Sequence, residues 1–508
     1  MQSNDRIGRR GPAGQGAVVP AAPAAGASAA CGLDALEREA RRDLQRLNWP
    51  VAGWVPETPG PDGKPMLDVL IVGAGMCGQT AAFALLREGV HRIRVIDRCA
   101  AGQEGPWGTY ARMQTLRSPK HLTGPDLGVP SLTFRAWYEA RHGAAGWDAL
   151  YKIERLDWRD YLLWVRRVVD IPVDSGCALA ALEAHDAGLR ATLRGPGGAQ
   201  VVHARKVVLA VGRDGSGAAR WPRFASFDPR AARARRRIFH SADPIDFATL
   251  AGRRVAVLGA GASAFDNAAA ALEASAAAVT MFVRRTHLPQ INKSKWASFA
   301  GFQRGFAALD DRWRWRFMNY ILDEQVPPPH ESVLRCDRHP QFAIRFGQPW
   351  RDLLEQDESV TVVTPDGRER FDAAIVATGF DVDLLERDEL AALRDAVLTW
   401  GDRVPAELAS RNPEAARFPY LGEGFELRER TPGALPQLHQ VHVFNWGATL
   451  SHGQLAGDIP GLATGATRLA QAIVRDLFVT DVERHWAALQ AHDDAELAPT
   501  RYFVPRSA

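Results

Sequence analysis

Leu67-Asp68-Val69-Leu70-Ile71-Val72-Gly73-Ala74-Gly75-Met76-Cys77-Gly78 is the stretch whose reading decides the fold. The short β-branched run at its start has the length and composition of a buried strand. The glycines that follow are spaced GxGxxG. An Ala- and Leu-rich helical pattern runs from Gln79 to Arg87, and a second strand, Ile93 to Ile96, ends in Asp97. Strand, glycine turn, helix, strand and acid together make one βαβ unit, the context that gives the glycine spacing its meaning. Gly73 permits the tight turn, Gly75 lets the backbone approach a pyrophosphate, and Gly78 lets the helix pack close to the strand. The unpaired N–H groups of the helix N-terminus then face the phosphates, and Asp97 is placed to accept hydrogen bonds from a ribose.

The pattern recurs in the middle of the chain. Arg254 to Leu258 reads as a strand, followed by Gly259-Ala260-Gly261-Ala262-Ser263-Ala264 and an alanine-rich helix to about Ala278. Ala264 takes the third small-residue position. The next strand, Val279 to Val283, ends in Arg284-Arg285 rather than in an acid. An acid there would repel a 2′-phosphate, whereas two guanidiniums would bind it bidentately; the plain alternative is a solvated strand end. The first unit therefore suits FAD and the second NADPH. Two apolar runs ending in glycine, Val207 to Gly212 and Ala374 to Phe380, bracket the second unit and read as the points where the chain leaves one domain and returns.

The expected fold class is α/β, with two Rossmann-like dinucleotide-binding domains, one inserted in the other. The expected divisions are a disordered leader over 1–32, a helix and linker over 33–64, and an FAD domain over 65–212 and 374–480. An NADP domain fills 213–373, and a tail 481–508. The 508 residues hold about three domains' worth of chain. No apolar run is long enough to span a membrane. The 62 basic and 59 acidic residues give no electrostatic case for nucleic acid. Five scattered cysteines (Cys31, Cys77, Cys99, Cys177, Cys336) lack the spacing of a disulfide scaffold, zinc site or iron–sulfur site, so no metal is expected. Unpaired thiols suit a reducing cytoplasm. The leader carries Arg9-Arg10 but no unbroken apolar segment after it, against export. Leu33, Leu36, Ala40, Leu44 and Leu47 recur at helical spacing, and Pro50 stops that helix.

This arrangement resembles the two-dinucleotide-binding-domain flavoproteins, with a glutathione-reductase-like fold. Within them it resembles the class B flavin-dependent monooxygenases, which include flavin-containing, Baeyer–Villiger and microbial N-hydroxylating enzymes. The resemblance covers roughly residues 65 to 480 and rests on the two glycine motifs and Ala377-Thr378-Gly379. Phe239-His240-Ser241 is similar to the end of the family's FxGxxxH fingerprint, although Ala234 and Arg236 stand where Phe and Gly are wanted; the resemblance implies a catalytic His240 near the domain junction. Gly105-Pro106-Trp107-Gly108-Thr109-Tyr110 is similar to the Gly-Thr-Trp stretch along the flavin, implying a role for Trp107. Leu116 falls where animal-type enzymes place an asparagine, and Arg117, Ser118, Lys120 and His121 offer donors that either substitute for it or meet an anionic substrate; Arg117 joins the catalytic candidates. Gly457-Asp458, before a helical pattern from Leu462 to Leu477, resembles the Gly-Asp that holds the FAD ribityl chain. Val441 to Trp446 and Ser451-His452-Gly453 read as a strand and loop near the flavin.

Residues 286–350 interleave Trp296, Phe299, Phe302, Phe306, Trp313, Trp315, Phe317 and Tyr320 with Lys293, Lys295, Arg304, Arg312, Arg314 and Arg316. Packed helices with snorkelling arginines, forming a lid or substrate-pocket wall, are the reading favoured over base stacking. Val326-Pro327-Pro328-Pro329-His330, with Arg335 and Arg338 beyond it, occupies the region where Baeyer–Villiger enzymes bring an arginine to the flavin. The resemblance implies FAD and NADPH as cofactors, reduction of FAD by NADPH, and insertion of one oxygen atom of O2 into a small organic substrate through a flavin C4a-(hydro)peroxide. It carries no nucleic-acid partner and no membrane span. No Cys pair lies beside the flavin motif, so a disulfide acceptor is excluded. The alternatives are a flavin oxidoreductase passing electrons to a quinone or carrier, and a non-catalytic FAD/NADP-binding module. Amines, thioethers, ketones and aromatic rings all remain open as substrates.

Overall fold

The apolar run at Leu67–Val72 is buried from Asp68 onward because a strand lies on each side of it. A computed structural model describes residues 25–122, 124–230, 236–356, 358–497 and 500–502. In the first sheet, Leu67–Val72 pairs in parallel with Ile93–Asp97 on one side and Gly198–Leu209 on the other, and Val173–Ser175 extends the edge beyond Ile93–Asp97. The long strand Gly198–Leu209 serves two partners. Its first half forms an antiparallel meander with Gly188–Gly195 and Ala178–His185, and its last residues pair in parallel with Val441–Val443. Parallel pairing with both faces covered is why these strands read as continuous apolar runs rather than alternating ones. The helix Met76–Arg87 covers one face, and Leu462–Thr480 packs on that helix.

The second sheet is wholly parallel, in the order Phe342–Phe346, Ala278–Val283, Arg254–Leu258, Ala373–Val376 and Ile238–His240. One face packs on the helices Ala262–Glu273 and His330–Asp337 through Phe265, Ala268, Leu272 and Cys336. The other packs through Phe282, Ala256 and Val376 on a three-stranded antiparallel sheet of Asp352–Glu355, Val360–Thr364 and Gly367–Phe371.

Four sequence expectations are corrected. Ala374 to Phe380 does not return the chain to the first sheet: Ala373–Val376 is an inner strand of the second, and the chain rejoins the first core near Leu384 and its sheet at Val441–Val443. A buried apolar strand looks alike in either sheet, so composition could not assign it. The first helix begins at Ala25 and takes in the last eight residues of the span read as leader, because its alanines favour helix; residues 1–24, with Arg9-Arg10, lie outside the described residues. The second glycine-motif helix ends at Glu273, where Ser275 turns to φ +67° and the strand begins at Ala278. Residues 482–491, assigned to a tail, form a helix.

The segment 286–350 is helical at Lys293–Trp296, Ala300–Gly305, Asp311–Glu324 and His330–Asp337. Phe302, Phe306, Trp315 and Met318 form a core there with Trp400 and Leu450, while Trp296, Phe299, Trp313 and Tyr320 remain exposed. Arg314 threads this core and donates to Tyr420 Oη (2.7 Å) and Asp311 (2.5 Å), the paired burial expected of a snorkelling arginine. Among the described residues Cys77, Cys99, Cys177 and Cys336 carry free thiols, and no helix is long and apolar enough to cross a membrane.

Candidate active site

The first glycine turn is closed by contact rather than by side chains. Gly73 sits at φ +102°, and a Cβ there would lie 2.5 Å from the Ala210 carbonyl oxygen; a Cβ on Gly78 would lie 1.7 Å from that of Gly73. Strand, turn and helix therefore meet backbone to backbone. Gly75 caps the helix with no side-chain bond, so the first-turn N–H groups receive no carboxylate or hydroxyl from the protein. Asp97 accepts from Ala74 N and Cys99 N, both at 2.8 Å, and is 7% exposed. Its carboxylate thus fixes the glycine turn itself, a task the ribose reading did not include. Trp107 Nε1 and Gln79 Nε2 are buried without a hydrogen-bond partner among the described residues.

The second turn is built alike but stands open. A Cβ on Gly259, at φ +132°, would lie 2.5 Å from Ala377 O, with Ala264 packed beneath it, whereas nothing lies within 4 Å of a Cβ on Gly261. Gly261 also caps its helix without a side-chain bond. A cavity of about 2070 Å³ opens here. That is about twice the upper end of the range for a single small ligand. Residues 259–263, Arg284, Arg285, Thr378 and Gly379 line one part of it, and Arg117, Arg213, Trp446, Gln454 and Asp458 another. Arg285 donates to Asp323 O at 2.9 Å, and Arg284 makes no hydrogen bond or ion pair among the described residues. Thr378 Oγ1 donates to Arg220 O.

Asp458 borders the first helix, whose Cys77 thiol meets the neighbouring Gly457 backbone; burial pushes that thiol up to about 12, so it stays protonated. Asp458 makes no cap bond to its own helix and faces Arg213 at 3.5 Å. Arg213 lies over the Trp446 ring, 3.6 Å from its centroid.

The loop before Arg117 is pinned from both sheets. Leu116 N donates to Ile153 O at 2.8 Å, and Arg155 Nε donates to Met113 O at 2.9 Å while its Nη1 bonds Trp107 O. From the second body, Arg335 donates to Arg112 O at 3.2 Å and holds Glu273 bidentately at 2.8 Å. Leu116 is thereby buried, and its neighbour Arg117 is turned into the cavity. Lys120 does not reach it as a free donor: its ammonium is held by Trp147 O at 2.5 Å and lies over the Trp147 ring.

Not every candidate is brought to the cavity. His240 is fully buried, packed against Trp221 and Phe380, and its Nδ1 accepts from Ala242 N. It ends a strand of the second sheet and is not among the described residues lining the cavity, so the catalytic reading finds no exposed group there. Ala234 lies outside the described residues, and Arg236 N donates to Glu355. Arg335 is committed to Glu273, and Arg338 is on the surface. Asp266, which sequence reasoning missed, accepts from Ser332 Oγ at 2.5 Å and faces Arg335 at 3.6 Å; burial raises its pKa despite that neighbour. Its signal was legible: Asp266 and Glu273 stand seven residues apart in an alanine helix, two turns along one face.

His442 and His452 are structural. His442 Nδ1–H donates to Gly424 O at 2.7 Å; His452 Nε2–H donates to Gly422 O at 2.8 Å, and its ring stacks on Phe425. Burial pushes both down to about 3. Unfolded histidines take protons below about pH 6.5 and these do not, so stability is full above that pH and falls on acidification toward 3, by about 1.4 kcal/mol per pH unit for each histidine. Asn reproduces Nδ1–H and Gln reproduces Nε2–H. Denaturant midpoints of an H442N/H452Q variant are therefore expected to fall less between pH 7 and 5 than those of the parent, in urea titrations at each pH.

Comparison with known proteins now bears on this geometry. Residues 70–214 match a family described as FAD-NAD(P)-binding, and residues 148–303 one described as L-lysine 6-monooxygenase/L-ornithine 5-monooxygenase. The chain is 44% identical over 464 residues to the FAD-dependent urate hydroxylase of Xanthomonas campestris pv. campestris, covering 91% of this chain and 97% of that protein. The chain belongs to the class B flavin-dependent monooxygenases. Solved structures share its fold. Ornithine hydroxylase from Pseudomonas aeruginosa superposes with a TM-score of 0.64 at 16% identity, over 81% of this chain and all of that one. L-lysine 6-monooxygenase from Pseudomonas syringae gives 0.59 at 18% identity, over 80% and 99%. The monooxygenase uses FAD and NADPH. Its residues fit them: two uncapped helix N-termini behind glycine turns, an open approach at Gly261, buried donors on Trp107 and Gln79 left unpaired, and an unpaired Arg284.

Proposed function

We propose that this monooxygenase hydroxylates a planar, anionic, nitrogen-rich oxo-heterocycle of the urate class. The 44% identity to a urate hydroxylase across nearly its whole length carries the reading. The cavity supports it, since eleven lysines and arginines line it against six carboxylates. Urate is a monoanion at neutral pH. The balance is one substrate, O2, NADPH and a proton giving hydroxylated substrate, NADP⁺ and water.

FAD, when bound and reduced by NADPH, supplies the activation of dioxygen. The chain's own residues bind, orient and exclude water. The N-terminus of the helix Met76–Arg87 would take the FAD pyrophosphate, with Asp97 holding the turn and Asp458 beside it. The helix Ala262–Glu273 would take that of NADPH, and Arg284 and Arg285 the 2′-phosphate. Trp107 would stand along the flavin with its loop locked by Arg155. Arg335 ties the first-sheet loop to the second-sheet helices and so fixes how the two cofactors face one another. His240 contributes through packing. The FAD-binding body is residues 65–212 with the chain from about Leu384 to residue 480, the NADP-binding body lies between, and a cytoplasmic enzyme is the reading that the free thiols support.

The fold neighbours and the second family model favour a different reading, N-hydroxylation of a lysine- or ornithine-like amine. A cationic amine would meet Arg117 and Arg213 at this end of the cavity, which disfavours it. Urate is expected to accelerate NADPH oxidation and to disappear with it in aerobic assays, while ornithine and lysine do neither. Acceleration by ornithine or lysine and not by urate would sink the proposal.

A further inference from the structure

Several arginines lining this cavity have protein partners: Arg220 pairs with Asp381 at 2.9 Å, Arg417 with Asp381 and Asp383 at 3.3 Å each, and Arg285 donates to Asp323 O, while Arg284, beside it, has none among the described residues. Arg117 lines the other part of the cavity. It makes no hydrogen bond or ion pair among the described residues, and its side chain stands exposed on the cavity wall. A second guanidinium, Arg213, lines the same part of the cavity, and its contact with Asp458 is long at 3.5 Å. The surrounding protein first, and Arg213 second, depress the proton affinity of Arg117, while the carboxylates that counter this, Asp458 and Asp266, come one from each body. A guanidinium standing in a cleft beside a second cation and without a protein acceptor is available for a charge-assisted pair with an anion that enters.

Position narrows which anion. Asp458 borders the helix of the first glycine motif and Asp266 lies on the helix of the second, so Arg117 stands where the two cofactor-binding bodies meet. The pyrophosphates would be held at the helix N-termini, and Arg284 and Arg285 would serve the 2′-phosphate end. What needs a cation at the junction is the reacting molecule.

We propose that Arg117, backed by Arg213 on the Trp446 ring, is the substrate's anion-recognition residue and binds the deprotonated edge of the urate-class heterocycle through its planar guanidinium. This rests on the urate-class reading and adds the residue that selects it. Because no described residue hydrogen-bonds Arg117, its replacement is expected to leave the scaffold intact.

The test is isothermal titration of urate into oxidised holoenzyme, alongside steady-state KM for urate and for NADPH, for the parent, R117Q and R117K. R117Q is expected to weaken urate binding and raise the urate KM by about 10- to 100-fold, the span of a lost charge-assisted pair. Flavin content and NADPH KM should remain at parental values, and R117K, a point charge without the planar fork, should fall between. A parent enzyme that neither binds nor consumes urate overturns the substrate reading and this assignment with it. A parent that consumes urate beside an R117Q variant of unchanged urate affinity overturns the assignment alone. Loss of flavin or of NADPH affinity in R117Q overturns it too, by giving the arginine to a cofactor.

Discussion

Gly78→Ala is expected to leave the purified protein with less than about a tenth of its flavin. A Cβ at this position would sit 1.7 Å from Gly73 O and 2.8 Å from Gly73 C, with the Ala210 side chain at 3.4 Å. The two nearest atoms are backbone of the glycine turn, with no flexible side chain to give way. The helix Met76–Arg87 must move off its strand, and the N–H groups of its first turn move with it. Overpacking of this kind costs about 1–3 kcal/mol or more, and the displaced donors add a loss of pyrophosphate contacts. The ratio of flavin to protein absorbance reads the outcome, and a thermal melt separates loss of cofactor from loss of fold. Gly261→Ala is the internal contrast. Nothing lies within 4 Å of its Cβ, so G261A should keep its flavin and fold and raise only the KM for NADPH. A G78A protein as yellow as the parent would show that the contact relaxes without consequence.

The second large effect is expected from the paired replacement R284A/R285A. Among the described residues Arg284 has no partner and Arg285 only the Asp323 carbonyl, so both guanidiniums are available to a 2′-phosphate. Charge-assisted pairs of this kind carry about 1.5–3 kcal/mol each, so with both removed the KM for NADPH should rise about 100-fold or more and that for NADH stay nearly constant. The preference for NADPH should also shrink as ionic strength rises in the parent, and be insensitive to salt in the variant. Steady-state kinetics with both nucleotides at two salt concentrations measure this. An unaltered preference would mean that the arginines only solvate the end of Ala278–Val283.

Local sequence carried the two glycine turns because their constraints are local. Gly73, Gly78 and Gly259 touch backbone a few residues away or on the next strand, and only glycine fits. Arg284-Arg285 stands at a strand end that such a unit turns toward its ribose, and both residues line the cavity. What eluded sequence was decided across distance. Ala374–Val376 has the composition of a core strand in either sheet, and only its neighbours Arg254–Leu258 and Ile238–His240 assign it. Leu116 and Arg117 are adjacent, and the bond from Leu116 N to Ile153 O, thirty-seven residues on, sets which of them faces the cavity. His240 looked chemical by motif, yet the strand that carries it is packed beneath Trp221 and Phe380. Asp266 shares a helix face with Glu273 and was legible to that extent, but Arg213 and the pairing of Asp266 with Ser332 and Arg335 gave little local sign, because the partners lie in separate segments.

The central claim is that the enzyme transfers an oxygen atom from dioxygen to its substrate. The most direct measurement is mass spectrometry of the product formed from urate and NADPH under isotopically heavy oxygen gas in ordinary water. A monooxygenase is expected to give product carrying one heavy oxygen atom, in amounts matching the NADPH consumed. Product without the label, with the heavy oxygen recovered only as hydrogen peroxide or water, would contradict it.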